Sequence, residues 1–494
     1  MDILVIVAYL VGMVLIGYLG KRRVSDETDY LVAGRRLGPF MYMGTLSALV
    51  LGGASTIGGV GLGYEYGVSG MWLVVAIGCG ILLLSAAFAP LIQRLRVFTV
   101  AQALDLRYGP HAGLVSGIVM WAYTLMLSAT STIAYGTIFR VLLGLDRVPA
   151  IALGGLIVLA YSALGGMWSV TLTDIVQFVI TTVGIFFILL PVSLTHAGGY
   201  TGIRERLGDA AFDLTTIGVG TIVTYFVIYF FGLLIGQDIW QRVFTARSPR
   251  VARYGGIACG LYCLAYGLAG ALIGASAAVI VPGLEVPDDA YVTVTQAVLP
   301  PGVVGIVLAA ALAAIMSTAS GSLIATATVA RQDIVERLRG RARVGQSSAG
   351  AAGAGEETDE VRANRWYVIG LGIVVVGIAL LIQDVVAALT IAYDVLVGGL
   401  LVPILGGLLW RRATGQGALA AIVVGTVATL GTMAWYGDIY ANEPIYAGLA
   451  LGAIVFVAVS LLTPPTPPEV LAEWDRRQAG SADEGLARGR AELD

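Results

Sequence analysis

Three groups of residues in this chain have the types and spacing needed to handle an ion. The first is Gly52-Gly53-Ala54-Ser55-Thr56-Ile57-Gly58-Gly59, four glycines and two hydroxyls in eight residues of an otherwise apolar stretch. Glycine and short hydroxyl residues are poor helix formers, so this run is a candidate break. The second is Leu234-Ile235-Gly236-Gln237-Asp238, where an amide and a carboxylate interrupt an apolar helix. Ionisable groups are costly in such surroundings and default to a functional reading. The third is Ala314, Ser317 and Thr318, spaced i, i+3 and i+4 and therefore on one helical face.

An unwound helix frees backbone carbonyls, here those of Ala54 and Ile57. With the Ala314 carbonyl and the hydroxyls of Ser317 and Thr318, they would offer five neutral oxygens to a hard monovalent cation. Lacking a carboxylate ligand, such a site holds too little charge to bind calcium or magnesium tightly. Two plainer readings stand beside this one. Small-residue patches also let helix backbones approach closely, and buried hydroxyls often bond back to carbonyls of their own helix. Gly59, Gly61 and Gly63 form a Gly-x-Gly run, but no strand precedes it, which excludes a dinucleotide fingerprint.

The elements that must position these groups are membrane helices. Of 494 residues, 57% are hydrophobic and only 12% charged, with a mean hydropathy of +0.86. A soluble fold carries about 25% charged residues. The net charge of −3 leaves no basic surplus for nucleic acid. Two histidines and three cysteines, the latter inside apolar runs, leave little for a zinc site or a disulfide scaffold. No nucleophile–base pair or metal dyad appears, so an enzyme is not expected.

A spanning helix needs about 20 mostly apolar residues. Such stretches lie near 3–20, 40–66, 71–93, 112–144, 149–165, 168–194, 216–241, 251–281, 301–330, 366–383, 386–410, 415–436 and 444–463, thirteen in all. With thirteen spans, 25 of the 29 basic residues fall on one side; Arg140, Arg147, Arg204 and Arg206 keep the other. Loops bearing Glu285, Asp288 and Asp289, or Asp438 and Glu443, have acids and no bases. Cytoplasmic loops carry the positive excess, so the N-terminus is expected outside and the C-terminus in the cytoplasm of a plasma-membrane protein. Residues 332–364 read as a cytoplasmic linker, Gly/Ala/Ser-rich over Gly345–Glu357, and 464–494 as a solvated tail with a short helix conceivable around Glu469–Gln478.

The two candidate breaks fall in the second and seventh spans, five helices apart. Interrupted helices at matching places in two halves point to an inverted repeat with a midplane site. The expected organisation is therefore an all-α polytopic membrane protein. It would have an additional helix over 1–20, five-helix repeats over 40–194 and 216–410, two more helices over 415–463, and the tail.

With these residues in view, the chain resembles the sodium:solute symporter family, whose members share the leucine-transporter fold. The likeness is carried by Tyr30-Leu31-Val32-Ala33-Gly34-Arg35-Arg36 and by the Ala54–Gly59 break. It continues in Gly165-Gly166-Met167-Trp168-Ser169-Val170 with Thr173, Asp174 and Gln177, and in Gln241-Arg242 with Met316-Ser317-Thr318-Ala319. The resemblance implies sodium-coupled uptake of a small organic solute by alternating access. It implies sodium on the carbonyls of Ala54, Ile57 and Ala314 and the hydroxyls of Ser317 and Thr318, with Asp174 near the ion's cytoplasmic exit. The solute pocket would be lined by Ser55, Thr56, Gln237 and Asp238, with Tyr393 and Asp394 as gate candidates. The family's usual acid and serine after the ninth-span motif are Ser320 and Gly321 here, so one sodium is expected. Val50 and Gly236 stand where choline transporters of the family carry tryptophan, so that specificity is not expected. The assembly expected is a monomer in the bilayer. Rival readings are a channel, a transporter-like sensor module, and a sodium-independent transporter, proton-coupled or facilitative.

Overall fold

The computed structural model describes residues 1–136, 138–139, 144–340, 359–382, 385–437 and 441–479. Arg140, Asp438, Gly345–Glu357 and the tail beyond Ala479 lie outside the described residues. Among the described residues every regular element is helical, apart from one parallel bridge between Leu37 and Ala246. The elements used below are α1 (Asp2–Lys21), α2 (Pro39–Val50), α3 (Gly59–Tyr66), α4 (Trp72–Leu83), α5 (Val100–Tyr108), α6 (Pro110–Ile133) and α7 (Arg147–Thr182). They continue with α8 (Val219–Ile235), α9 (Gln237–Thr245), α10 (Pro249–Ile280) and α11 (Val303–Val329). The chain closes with α12 (Asp359–Leu381), α13 (Val385–Leu409), α14 (Gly415–Tyr436), α15 (Glu443–Leu462) and α16 (Pro468–Ala479).

Ten helices are long and apolar enough to cross a membrane, or eleven when the bent pair α8 and α9 counts as one span. The sequence expectation of thirteen differs because Ala54–Arg94 and Arg147–His196 each run on as one helical stretch, of 41 and 50 residues. Fifty residues of straight helix would reach about 75 Å, more than twice the hydrocarbon thickness. The longer stretch leaves helical geometry at Gly165 and at Gly166, whose φ of 52° a side chain rarely adopts. The shorter one turns at Gly67, with φ 61°. Thirteen crossings require both stretches to be divided at these glycines.

Packing follows the rule for helices in lipid, where backbones close on small residues. A Cβ on Gly63 would lie 2.6 Å from the Ala271 carbonyl oxygen, and one on Gly274 would lie 2.2 Å from that of Val60. The second half of the broken second segment, α3, is thereby clamped to α10. Helix α11 is the most enclosed span, with 89% of its apolar window buried. It is the central post against which the breaks are arranged.

Two polar segments differ from expectation. The helical run containing α11 continues to Leu338, so the expected linker does not begin at residue 332. Its extension is held by Arg331 paired to Glu27 at 2.8 Å and by the Thr99 hydroxyl donating to Asp333 at 2.8 Å. The tail is not simply solvated. Its helix α16 buries Trp474 beside Leu104, Trp240 and Ile404, with Arg411 and Asp475 paired at 2.9 Å. One large aromatic supplies the apolar area that the tail's overall composition lacks.

Candidate functional site

The second membrane segment breaks where the sequence is richest in glycine. Helix α2 ends at Val50; Leu51 leaves helical geometry with φ −93° and ψ 63°, and a wide turn over Ala54–Gly58 leads into α3. Ending a helix orphans its last carbonyls, and α11 meets them. Ser317 Oγ lies 2.6 Å from the Ala48 carbonyl oxygen and Thr318 Oγ1 lies 2.6 Å from that of Leu49. The same hydroxyls stand 2.9 and 3.4 Å from the Ala314 carbonyl oxygen of their own helix. The plain reading of these hydroxyls, bonding back to their own helix, thus has a counterpart, and their second contact is with the end of α2. Each hydroxyl has one proton and two lone pairs; a proton directed at a carbonyl leaves oxygen density for a cation. The carbonyls bonded here are those of Ala48 and Leu49, about two turns before Ala54 and Ile57, which lie in a wide helical turn and not in the unwound stretch expected from the sequence.

Gly52 lets α11 approach this closely, since a Cβ there would sit 2.3 Å from Thr318 Oγ1. Gly52→Ala should push that hydroxyl off its position and weaken half-saturation by sodium about tenfold, about 1.4 kcal/mol, with expression retained. Sodium titration of uptake checks this, and an unchanged half-saturation point would count against the site.

Asp174 is fully buried on α7, where Arg242 of α9 pairs with it at 2.9 Å and the Thr45 hydroxyl donates to the same carboxylate. Arg242, counted among cytoplasmic loop charges from sequence, has a side chain only 1% exposed. Its guanidinium fits because position 321 is glycine: a Cβ there would lie 3.0 Å from Arg242 Nη2. A fixed cation thus stands beside Asp174, next to the two positions where the chain departs from the family pattern.

The second break is sharp. Gly236 takes an extended conformation and the axes of α8 and α9 differ by 42°. Asp238, in the first turn of α9, accepts a hydrogen bond from the Tyr123 hydroxyl at 3.0 Å. Gln237 does not share that environment: its amide donates to the Phe98 carbonyl at 3.2 Å and accepts from the Val100 N–H at 2.8 Å. Thr56 is likewise turned away, 2.7 Å from the Tyr266 hydroxyl on α10. Of the four expected solute contacts, Ser55 and Asp238 line a cavity; Thr56 and Gln237 line neither of the two cavities described next.

A cavity of about 450 Å³ runs from Glu65, Asp288 and Asn442 inwards to Gly53, Ala54 and Ile57. Below it a compact chamber of about 50 Å³ reaches Ser55, Asp238 and Thr318. The two share Gly53, Ala54, Leu73, Ala134, Tyr229 and Leu389 as common wall. Tyr393 lines the chamber, its ring centroid 5.4 Å from those of both Tyr123 and Tyr229. Its neighbour Asp394 is buried with no hydrogen-bond partner on either carboxylate oxygen and lines neither cavity. Tyr123 and Tyr229 were not singled out from the sequence.

Two broken membrane helices facing a hydroxyl-bearing post, with a chamber between them, define a secondary transporter of the broken-helix class. The chain belongs to the sodium:solute symporter family, whose pattern matches residues 30–425. A sodium/proline symporter of Staphylococcus aureus (strain JH9) is 25% identical over 490 residues, covering 93% of this chain and 92% of the relative. Among solved structures, a substrate-bound, outward-open Na+-coupled sialic acid symporter superposes with a TM-score of 0.80 at 20% identity, covering 94% of this chain and 98% of that one. A nucleobase-cation-symport-1 family transporter in a closed conformation gives 0.56 at 14% identity, covering 91% and 98%. At these identities the structures establish the fold. The chain is a multi-pass membrane symporter that couples sodium to a small organic solute, a transporter and not an enzyme.

Proposed function

We propose that one sodium ion enters from the outside and is held where α11 meets the second-segment break. Ser317 and Thr318 supply its side-chain oxygens, and the carbonyls of Ala54, Ile57 and Ala314 are its backbone ligands. The observation that supports this reading most is the pair of hydroxyls spanning from α11 to the broken end of α2. Sodium there ties the central post to the break and favours the outward-facing arrangement. The same tie orders Gly53, Ala54 and Ser55, which wall the solute chamber. Each ligand thereby raises affinity for the other through one conformation, a reciprocal coupling of about 1–3 kcal/mol. The membrane potential adds about 2.3 kcal/mol per charge per 100 mV.

In this reading one sodium is used per cycle, because the Arg242 guanidinium supplies the positive charge beside Asp174. Asp174 lies on the cytoplasmic side of the ion and takes part in its release. The chain crosses the membrane thirteen times with its N-terminus outside, in two five-helix repeats over 40–194 and 216–410, and works as a monomer, one chain holding every group named. Tyr393 closes the chamber from the side, and Asp394 stands behind it.

Thermal unfolding of the purified protein, with and without sodium, against small amino acids, amines, sugars and carboxylates, tests the coupling. A solute that stabilises only when sodium is present is the expected result. Equal stabilisation in potassium would remove the sodium site.

A further inference from the structure

The charges around the solute route are unbalanced in one direction. Among the described residues lining the two cavities there are three carboxylates, Glu65, Asp288 and Asp238, and no lysine, arginine or histidine. Glu65 and Asp288 stand towards the outer end of the large cavity, and Asp238 at the floor of the chamber. A cleft lined by one sign of charge within low-dielectric walls concentrates ions of the opposite sign.

Three carboxylates buried on α7, α9 and α13 extend the pattern. Asp174, Asp238 and Asp394 are all at most 4% exposed, and the guanidinium set against them is that of Arg242, bonded to Asp174. Asp238, the one of the three that lines the chamber, has no ion pair of its own among the described residues. An unpaired buried charge costs several kcal/mol, so the loaded state calls for one more positive charge. The chamber wall can accept it: Tyr229 and Tyr393 line it as a T-shaped pair with centroids 5.4 Å apart, Tyr123 packs the same way on Tyr393 from outside the lining, and aromatic faces attract cations. Asp238 reaches this cluster through its hydrogen bond with Tyr123. An anionic solute would find no basic side chain on these walls, and the carboxylate of a zwitterion would find none either.

We propose that the co-transported solute carries a net positive charge on nitrogen, as a protonated amine or a guanidinium, with Asp238 as its counter-ion and Tyr229 and Tyr393 as its aromatic wall. This rests on the symport reading above and adds the substrate's charge class.

Two measurements test it. In the first, wild type and Asp238→Asn are unfolded thermally in sodium with chain-matched amines, guanidines, alcohols, carboxylates and α-amino acids including proline. Amines or guanidines should stabilise wild type, and the asparagine variant should lose that shift. An alcohol, a carboxylate or proline stabilising as strongly as its cationic match overturns the proposal. In the second, Ala134→Cys, on the wall common to both cavities, is labelled from outside in a Cys79→Ser background. Cationic and anionic methanethiosulfonate reagents are compared with their rates on a free thiol. The cationic reagent should be favoured about tenfold or more, and a ratio at or below the free-thiol value overturns the proposal. That ratio decides alone should no compound in the panel bind. The outcomes separate from those of the symport reading. An amine that stabilises without sodium removes coupling and keeps the charge class. A neutral solute that stabilises only with sodium does the reverse.

Discussion

Replacing Ser317 and Thr318 together by alanine should abolish sodium-dependent uptake while leaving a protein that inserts and purifies. Each hydroxyl oxygen that ligands an ion is worth about 1.5–3 kcal/mol, the range for hydrogen bonds to charged groups. Losing both removes about 3 kcal/mol or more, which is over a hundredfold in sodium affinity. The change also has a cost without sodium, because the Ala48 and Leu49 carbonyls lose their hydroxyl donors. That cost is about 1–3 kcal/mol per buried carbonyl left unpaired. The two effects separate by experiment. The structural cost appears as a lower melting temperature in potassium, and the ligand effect as loss of the further shift on adding sodium. Thr318→Ser keeps an oxygen in place and should retain most of the sodium response. Full uptake by the double alanine variant, with unchanged sodium dependence, would refute the assignment of the ion to this face of α11.

What could be read from the sequence divides along a physical line. The second break was legible because it is local: Gly236 before an amide and a carboxylate makes a poor helix whatever surrounds it. The first was placed a few residues late, since the chain leaves helical geometry at Leu51 and is helical again over Ala54–Gly58. The shared face of Ala314, Ser317 and Thr318 was legible because helical geometry fixes it. The partners of those hydroxyls were not, because the freed carbonyls depend on the residue at which α2 stops. Long-range pairing hid the rest. Gln237 looked like a solute ligand, but its amide is occupied by the backbone at Phe98 and Val100. Thr56 was drawn to Tyr266, which is distant in sequence. Arg242 read as a loop charge because positive-inside counting assigns bases by segment and cannot see the carboxylate on α7 that buries it. Trp474 was discounted with its polar neighbours, although one indole in an apolar cleft suffices to dock a short helix.

Arg242 gives the second large effect. Arg242→Gln removes the cation from a pair in which neither side chain is more than 1% exposed, and leaves Asp174 with only the Thr45 hydroxyl. Breaking a buried ion pair from one side costs about 3–5 kcal/mol, because the surviving charge has lost its compensation. The expected outcome is a severe drop in melting temperature and yield, larger than for any cavity-lining substitution above. Asp174→Asn alone strands the guanidinium and should cost a similar amount. The double variant Asp174→Asn with Arg242→Gln strands neither charge, and two amides can bond across the same gap. It should therefore recover at least half of the lost stability, giving a positive coupling in the double-mutant cycle. Recovery of transport is a separate matter. Helix α9 follows directly on the Gly236 break, and in the reading proposed above its charge borders the ion's inner path, so the double variant should be stable and slow. Additive destabilisation in the cycle would mean that the two residues act independently, and would remove the argument that a tethered guanidinium stands in for a second ion.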